Sequence, residues 1–179
     1  MFYLLQRLTN VRLHPSQIGP HYIAAMKEAV EKELEGSVNA DRGIVLTVID
    51  ADPRGRGHVQ DGTGLVVVEV NYTALAFKAR KGEVLDGIVT EEVNSLGFFC
   101  QCGPLQVFVS KSSMPMHYQF VANATPPCWQ STEKKTDDAT IKPEARVRVR
   151  IIGTNNDATN VFAIGSINED YLGKLPEQV

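Results

Sequence analysis

The stretch Lys81–Val109 reads KGEVLDGIVTEEVNSLGFFCQCGPLQVFV and decides the fold of the second half of this chain. Val84–Glu91 is predicted to be a half-buried strand, in which successive residues point alternately inward and outward. Asp86-Gly87 and Gly97 supply the permissive backbone of a tightly coiled strand, and Gly103-Pro104 predicts a tight turn. The stretch therefore predicts three short consecutive strands.

The second and third of these strands have an inner and an outer face. If Phe98 and Cys100 are buried, every second residue between and beyond them must point outward. The side chains assigned to the outer face are Phe99, Gln101, Gln106 and Phe108. Two exposed aromatic rings on adjacent strands predict a surface on which bases of single-stranded nucleic acid stack, at about 1–3 kcal/mol per base. Alternatively, one or both rings pack under residues 110–142.

Two further strands are predicted after this stretch. Residues 110–142 are expected to form a long irregular crossover, because their length exceeds that of an ordinary connection. Ala145–Ile152 then alternates strictly, and Val161–Ile167 completes a closed barrel as the fifth strand. In Ala145–Ile152 the outward residues are Arg146, Arg148 and Arg150. These arginines would either follow a phosphate backbone or form a solvated strand face.

The first half of the chain predicts a small sheet with one helix. Strands are expected at Met1–Leu13, Ile44–Ile49 and Leu65–Phe77, and residues 50–64, rich in Gly, Pro and Asp, are expected to form an exposed loop. The helix should start after Gly19-Pro20 and end at Gly36. Its apolar stripe consists of Ile23, Met26, Val30 and Leu34. One helix cannot cover both faces of a sheet, so we expect another chain to cover one face or edge.

The fold class is therefore α+β, in two domains, residues 1–80 and 81–179. The Lys81-Gly82-Glu83-Val84 entry, Asp86-Gly87, Gly97-Phe98-Phe99 and Phe108-Val109 resemble the S-one RNA-binding domain, a type of OB-fold barrel. Strongly RNA-binding members usually carry an aromatic residue before the second-strand glycine and a histidine after the third strand. This chain has Leu96 and Ser110 there, so we expect weak RNA contact.

Composition supports the same expectation. The chain has 18 basic and 21 acidic residues, and residues 81–179 carry the whole net charge of −3. Phosphate neutralisation supplies most of the affinity of dedicated RNA-binding proteins, which are usually basic. No apolar run is long enough to span a bilayer and no signal peptide begins the chain, so we expect a soluble cytosolic or nuclear protein without membrane contact.

No catalytic, metal or cofactor site is expected. The sequence contains no nucleophile triad, HExxH or phosphate-loop pattern, and Gly55-Arg56-Gly57 lacks the strand-to-helix setting of a dinucleotide loop. Cys100 and Cys102 are predicted to be buried in the barrel. Cys128 and the scattered histidines do not have zinc-ligand spacing.

Over its whole length the chain resembles the seventh subunit of eukaryotic RNA polymerase II, a family that also has members in the archaeal polymerase. The residues that carry the resemblance occur in order along the chain. They are Leu13-His14-Pro15 with Gly19-Pro20, Leu34-Glu35-Gly36-Ser37, Asp61-Gly62-Thr63-Gly64, Ala76-Phe77-Lys78, Pro126-Pro127 with Gln130-Ser131, and Glu169-Asp170-Tyr171-Leu172-Gly173.

The resemblance implies a truncated ribonucleoprotein-like domain before the barrel, nuclear localisation and a non-catalytic role. It implies pairing with the polymerase's fourth subunit in a stalk beside the RNA exit path, and docking of the N-terminal tip on the polymerase II core. The docking candidates are His14, Pro15, Gly19, Pro20, Arg54 and Arg56; for Pro15, Gly19 and Pro20, turn and cap geometry is an equally good explanation. The alternative function is a stand-alone S-one protein in translation or RNA decay.

Overall fold

A computed structural model of the chain describes residues 1–39, 41–132, 140–156 and 161–176. Backbone contacts divide the chain into two units, Met1–Lys78 and Ala79–Val179. The first unit contains one helix and a sheet, and the second is built from strands. Among the described residues, no helix is long and apolar enough to cross a membrane.

The first unit is an antiparallel sheet with a helix on one face. Its elements are β1 (Phe2–Leu13), α1 (Tyr22–Leu34), β2 (Val38–Asn39), β3 (Gly43–Pro53), β4 (His58–Val59) and β5 (Val66–Phe77). The strand order is β1-β5-β3-β2, and β4 also pairs with β5. The strands predicted at 1–13, 44–49 and 65–77 are therefore present, and the α+β fold class is confirmed.

The helix packs on the sheet through Met26, Val30 and Leu34, which are all buried. The prediction that Ile23 belongs to this stripe is wrong, because Ile23 is exposed and Tyr22 packs against the core. From Tyr22 onward the stripe recurs every four residues, so a side chain one position later points about 100° away from it. The stripe thus begins one residue earlier than the apolar pattern indicates.

The predicted loop at residues 50–64 is partly strand. The third strand continues through Pro53, with two register shifts against β5, and Ala51 is buried in the core. The long β5 offers pairing partners as far as Val70, which explains why the Asp- and Pro-containing end of β3 stays in the sheet. The rest of the segment, up to Gly64, is exposed as expected.

The second unit is a barrel with a small additional sheet. Its strands are β6 (Val84–Asn94), β7 (Gly97–Cys102), β8 (Leu105–Ser110), β9 (Tyr118–Val121), β10 (Cys128–Ser131), β11 (Thr140–Ile141), β12 (Arg146–Asn156), β13 (Val161–Ser166) and β14 (Gly173–Lys174). The order β13-β8-β7-β6-β12 is closed by pairing of β12 with β13, and β8 runs parallel to β13. This five-stranded closure matches the predicted OB-fold barrel.

The barrel core contains the residues that the alternation assigned to it. Phe98, Cys100, Cys102, Val147 and Val149 are all buried. The pKa of Cys100 lies well above its ordinary value because the Cys102 side chain and burial both disfavour its thiolate. Both cysteines therefore act as small core residues, as predicted.

Gly87 has a packing role in this core. A Cβ at Gly87 would lie 2.5 Å from Cys102 Sγ. Because this distance is far below a van der Waals contact, strand β6 can approach β7 here only without a side chain.

The segment at 110–142 is more ordered than the irregular crossover that was predicted. A short 3-10 turn, Lys111–Ser113, leads into a sheet with the order β11-β10-β9. Trp129 is buried in this sheet, and its ring centroid lies 5.5 Å from that of Phe120. Cross-strand pairing of β10 with both neighbours explains the order, although residues 133–139 lie outside the described part of the segment.

Candidate nucleic-acid interface

The two predicted aromatic residues meet on the outer face of the barrel. Phe99 on β7 and Phe108 on β8 are direct cross-strand partners, and both are half-buried. Their ring centroids lie 4.8 Å apart at an interplanar angle of 44°. The two rings thus form one continuous aromatic surface in which each supports the other.

Strand β13 extends this surface with two residues that sequence reasoning did not assign to the site. Ile164 is the parallel partner of Phe108, and Phe162 is the partner of Gln106. Both side chains are exposed. We call the outward side chains Phe99, Phe108, Phe162 and Ile164 the platform. The alternation within Val161–Ser166 indicates which residues point outward, but it does not reveal that β13 lies beside β8.

The two predicted glutamines lie next to the platform. Gln101 and Gln106 are cross-strand partners. On each strand the glutamine lies two residues from the phenylalanine, on the same face. Gln101 Nε2 donates a hydrogen bond to the Gly103 carbonyl oxygen at 2.7 Å. This bond holds the Gln101 amide at the turn, so Gln106 is the more adaptable polar neighbour of the platform.

The three predicted arginines lie on the outer face of β12, where β12 pairs with β6. Arg148 binds Asp86 through two nitrogens, and Arg150 forms an ion pair with Glu169. The Arg148 guanidinium lowers the pKa of Asp86, mainly through its hydrogen bond. Two of the three cations therefore already have carboxylate partners.

Arg146 differs from the other two arginines because strand pairing places it two strands away from Gln101, at the same level of the sheet. Ile88 on β6 is the partner of both Arg146 and Gln101. Neighbouring strands are about 4.8 Å apart, so the backbone of Arg146 lies roughly 10 Å from that of Gln101. The Arg146 side chain is exposed. It is the arginine of the row that is best placed to reach a phosphate of a strand that crosses the platform.

Comparisons with known proteins identify the family. The SHS2 domain found in the N terminus of Rpb7p/Rpc25p/MJ0397 matches residues 9–64, and the S1 RNA binding domain matches residues 78–164. The chain is 40% identical over 175 residues to DNA-directed RNA polymerase II subunit rpb7 of Dictyostelium discoideum, covering 98% of this chain and 99% of that protein. It is 40% identical over 177 residues to subunit RPB7 of Saccharomyces cerevisiae, covering 98% of this chain and 100% of that protein. The chain belongs to the RNA polymerase II subunit 7 family.

The predicted docking residues belong to two segments of the first unit, one after β1 and one after β3. His14 follows β1, whose last residue Leu13 is opposite Val66, and the Arg54 backbone N–H donates to the Glu69 carbonyl at 2.7 Å. The structure thus places His14 and Arg54, one residue from each of the two predicted segments, near the start of β5. The other predicted docking residues are Pro15, Gly19, Pro20 and Arg56. All six residues are exposed.

The turn after β1 is held by its own side chains. His14 Nδ1 lies 2.8 Å from Ser16 Oγ and accepts from the Ser16 N–H, and Gln17 Oε1 accepts from the His14 N–H at 2.9 Å. Pro15 begins the short 3-10 turn. This geometry gives His14 and Pro15 a capping role at an exposed position.

The sheet of the first unit has an apolar face turned away from α1. Leu5, Val11 and Leu13 of β1 point to the helix side and are buried, while Phe2, Leu4 and Leu8 alternate with them and are exposed. Leu75 of β5 is the partner of Leu4. We call Phe2, Leu4, Leu8 and Leu75 the open face. Phe2, Leu4 and Leu75 are neighbours on this face, and the pair of Gln6 and Thr73 separates Leu8 from them. Exposed apolar side chains grouped on one face are typical of a protein-binding surface.

Proposed function

We propose that this chain is a non-catalytic subunit of RNA polymerase II that pairs with the enzyme's fourth subunit in a stalk and contacts single-stranded nascent RNA. In this role it acts in the nucleus and supports transcription initiation. The similarity to polymerase II subunit 7 proteins over 98% of the chain supports the assignment to the complex. The observation that carries the RNA contact is the pairing of Phe99 with Phe108 on the outer face of the barrel.

The RNA contact is weak and tolerant of sequence. Base stacking on aromatic rings does not discriminate strongly between bases, since every base has a π-face. Electrostatic attraction is limited because Arg148 and Arg150 have carboxylate partners and residues 81–179 are acidic overall. A stand-alone S-one protein would have to hold RNA without help, which favours a basic barrel. The charge distribution of this chain favours the polymerase subunit instead.

The open face supports pairing with a second chain. Its exposed leucines lie on β1, and β1 is an edge strand of the sheet that pairs only with β5 among the described residues. Exposed apolar side chains and an unpaired strand edge both favour association. We assign the fourth subunit to this surface, and the core enzyme to the end of the sheet that contains His14 and Arg54.

Co-expression with a fourth-subunit homologue tests this proposal. We expect the two chains to co-elute as a heterodimer in size-exclusion chromatography, and this chain to be less soluble when it is expressed alone. A stable monomer that does not associate with the fourth subunit at micromolar concentration would contradict the stalk assignment.

A further inference from the structure

Tyr171 combines two unusual features in the turn between β13 and β14. Its backbone φ is +65°, in the left-handed region that residues with bulky side chains rarely adopt. Its side chain is 93% exposed, so burial of the ring does not offset this strain. Strained backbone conformations persist only where the surrounding structure imposes them, and they are concentrated at functional sites. The turn therefore holds an aromatic ring in water at a cost in stability.

Contacts on both sides of Tyr171 impose its conformation. Before it, the Glu169 carboxylate forms an ion pair with Arg150 on β12. After it, the Leu172 N–H donates to the Glu169 carbonyl oxygen at 3.2 Å, which closes the turn, and Gly173 pairs with β12. Both ends of the turn are thus fastened to the same strand of the barrel, so the ring stands on a fixed support.

Asp170 places a carboxylate next to this ring in sequence. Asp170 is exposed and has no ion-pair partner in the part of the chain that the structure describes, whereas Glu169 is already paired with Arg150. The guanidinium group of arginine is planar, stacks on aromatic faces and binds carboxylates through several N–H donors. An exposed ring beside an unpaired carboxylate therefore matches an arginine side chain.

The charge around the ring favours a polypeptide ligand over RNA. Glu169 and Asp170 directly precede Tyr171, and residues 81–179 carry a net charge of −3. These acids repel the phosphates of a nucleic acid strand, whereas they attract a basic segment of a protein. The ligand that this turn fits best is thus an arginine on the surface of a partner polypeptide.

We propose that Tyr171 and Asp170 form a docking site for an exposed arginine of a partner polypeptide. The guanidinium group stacks on the Tyr171 ring and donates hydrogen bonds to the Asp170 carboxylate. The strained backbone keeps the ring exposed until the arginine covers it. Neither residue belongs to the platform or to the open face, so this inference goes beyond the proposed RNA contact and the proposed pairing with the fourth subunit.

Binding of an octa-arginine peptide to the full-length chain, compared with octa-lysine, tests the stacking contact. An acidic chain attracts both peptides, but arginine stacks better on an aromatic ring. We expect Tyr171→Ala to lower the ratio of octa-arginine to octa-lysine affinity by about two- to fivefold, as for an exposed cation–π contact. Tyr171→Phe keeps the ring and should retain the ratio. An equal ratio in the unchanged chain and in Tyr171→Ala would overturn the proposal.

The carboxylate contact is tested by a matched pair of variants. Asp170→Asn and Asp61→Asn each remove one exposed negative charge, but Asp61 lies in the first unit, away from this turn in sequence. We expect Asp170→Asn to weaken octa-arginine binding by about two- to fivefold, as for an exposed ion pair, and Asp61→Asn to change it much less. Equal losses in the two variants would show that Asp170 attracts the peptide only through net charge and would overturn the carboxylate contact.

Thermal unfolding of a glycine variant tests the strain. Glycine adopts a φ of +65° without steric conflict, whereas alanine does not. Tyr171→Gly should therefore unfold at a temperature about 2–4 °C higher than Tyr171→Ala, and it should show the same loss of the arginine preference. If Tyr171→Gly is no more stable than Tyr171→Ala, the turn is not strained and the functional argument from strain is wrong.

A photoreactive aromatic residue at position 171 of the tagged chain, expressed in its own cells, identifies the class of ligand. We expect a crosslink to an arginine-containing peptide of another protein, and we expect Asp170→Asn to reduce it severalfold. Crosslinks to RNA alone would show that the ring stacks on a base, and polypeptide crosslinks that Asp170→Asn leaves unchanged would exclude the arginine site. Either result would overturn this inference and leave the proposed function standing, because that function depends on other residues.

Discussion

Arg148 forms a two-point ion pair with Asp86, in which Nε lies 2.6 Å from Oδ1 and Nη2 lies 2.8 Å from Oδ2. Two parallel hydrogen bonds fix the plane of the guanidinium group as well as its position. The pair joins β12 to β6 across a cross-strand position. Arg148 thus connects two strands, so it is less available to bind phosphate than an unpaired arginine would be.

Replacing the Asp86 carboxylate should free Arg148 to bind phosphate. We expect Asp86→Asn to strengthen RNA binding and to raise the slope of log K against log salt by about 0.7, because Arg148 becomes available for one phosphate. Fluorescence anisotropy with labelled RNA at several salt concentrations measures both quantities. Glu144→Gln, which changes net charge equally at an exposed turn, is the control. Equal slopes for Asp86→Asn and Glu144→Gln would show that Arg148 does not reach RNA.

The same pair should make stability depend on pH. The pKa of Asp86 is lowered from 3.8, first by the Arg148 hydrogen bond, so the carboxylate contributes its full stabilisation above that value. The contribution is lost as pH falls through the lower folded-state pKa. We therefore expect Arg148→Gln to be less stable than the unchanged chain at neutral pH, with the difference disappearing in acid below pH 3.8. Urea unfolding over this range checks it, and a difference that persists in acid would exclude the ion pair as its cause.

Truncating the aromatic pair should weaken RNA binding. Phe99→Ala and Phe108→Ala should each reduce affinity by at least about fivefold, because each removes a surface on which a base stacks. The double variant should lose less than the product of the two, since the rings support each other at 4.8 Å. Tyr171→Ala removes an exposed aromatic ring elsewhere and should have no effect. Thermal unfolding of each variant separates lost binding from lost structure.

Much of the barrel face could be predicted from the sequence, because strand alternation is local. It places Phe99 and Gln101 outward and buries Cys100, and the structure agrees. The pairing of Ile164 with Phe108 could not be predicted from alternation, because it depends on which strands, distant in sequence, become neighbours in the barrel. The partnership of Arg148 with Asp86 depends on register between β12 and β6 for the same reason.

Prediction from the sequence has the same limit for helix α1 of the first unit. The apolar stripe predicted Met26, Val30 and Leu34 correctly, but both Tyr22 and Ile23 can continue it at a spacing of four or three residues. Which of them is buried depends on the sheet beneath the first turn, and the structure buries Tyr22 more than Ile23. The extension of β3 to Pro53 likewise follows from the length of its partner β5.

A side chain at Gly87 should destabilise the barrel. Gly87→Ala places a Cβ 2.5 Å from Cys102 Sγ, and overpacking of this kind costs about 1–3 kcal/mol of unfolding free energy. Adding Cys102→Ala removes the sulfur and should restore part of the loss. Restoration will be incomplete because the new Cβ also lies 2.9 Å from the Gln101 carbonyl oxygen. Denaturant unfolding of the two single variants and the double variant measures the coupling, and strictly additive losses would contradict the proposed clash.

Polar substitution on the open face should weaken pairing with the fourth subunit without unfolding the chain. Leu4→Ser and Ile23→Ser form a matched pair, because the two side chains are 66% and 56% exposed but only Leu4 lies on the open face. We expect Leu4→Ser to reduce recovery of the fourth subunit in a pull-down by severalfold, and Ile23→Ser to leave it unchanged. Equal recovery with both variants would place the partner on another surface.

The central claim is that this chain works as a subunit of RNA polymerase II. Affinity purification of the tagged chain from its own cells, followed by mass spectrometry of the bound proteins, tests it most directly. We predict recovery of the fourth subunit together with the large polymerase II subunits. Recovery of ribosomal or exosome proteins without polymerase subunits would contradict the account and favour a stand-alone S-one protein.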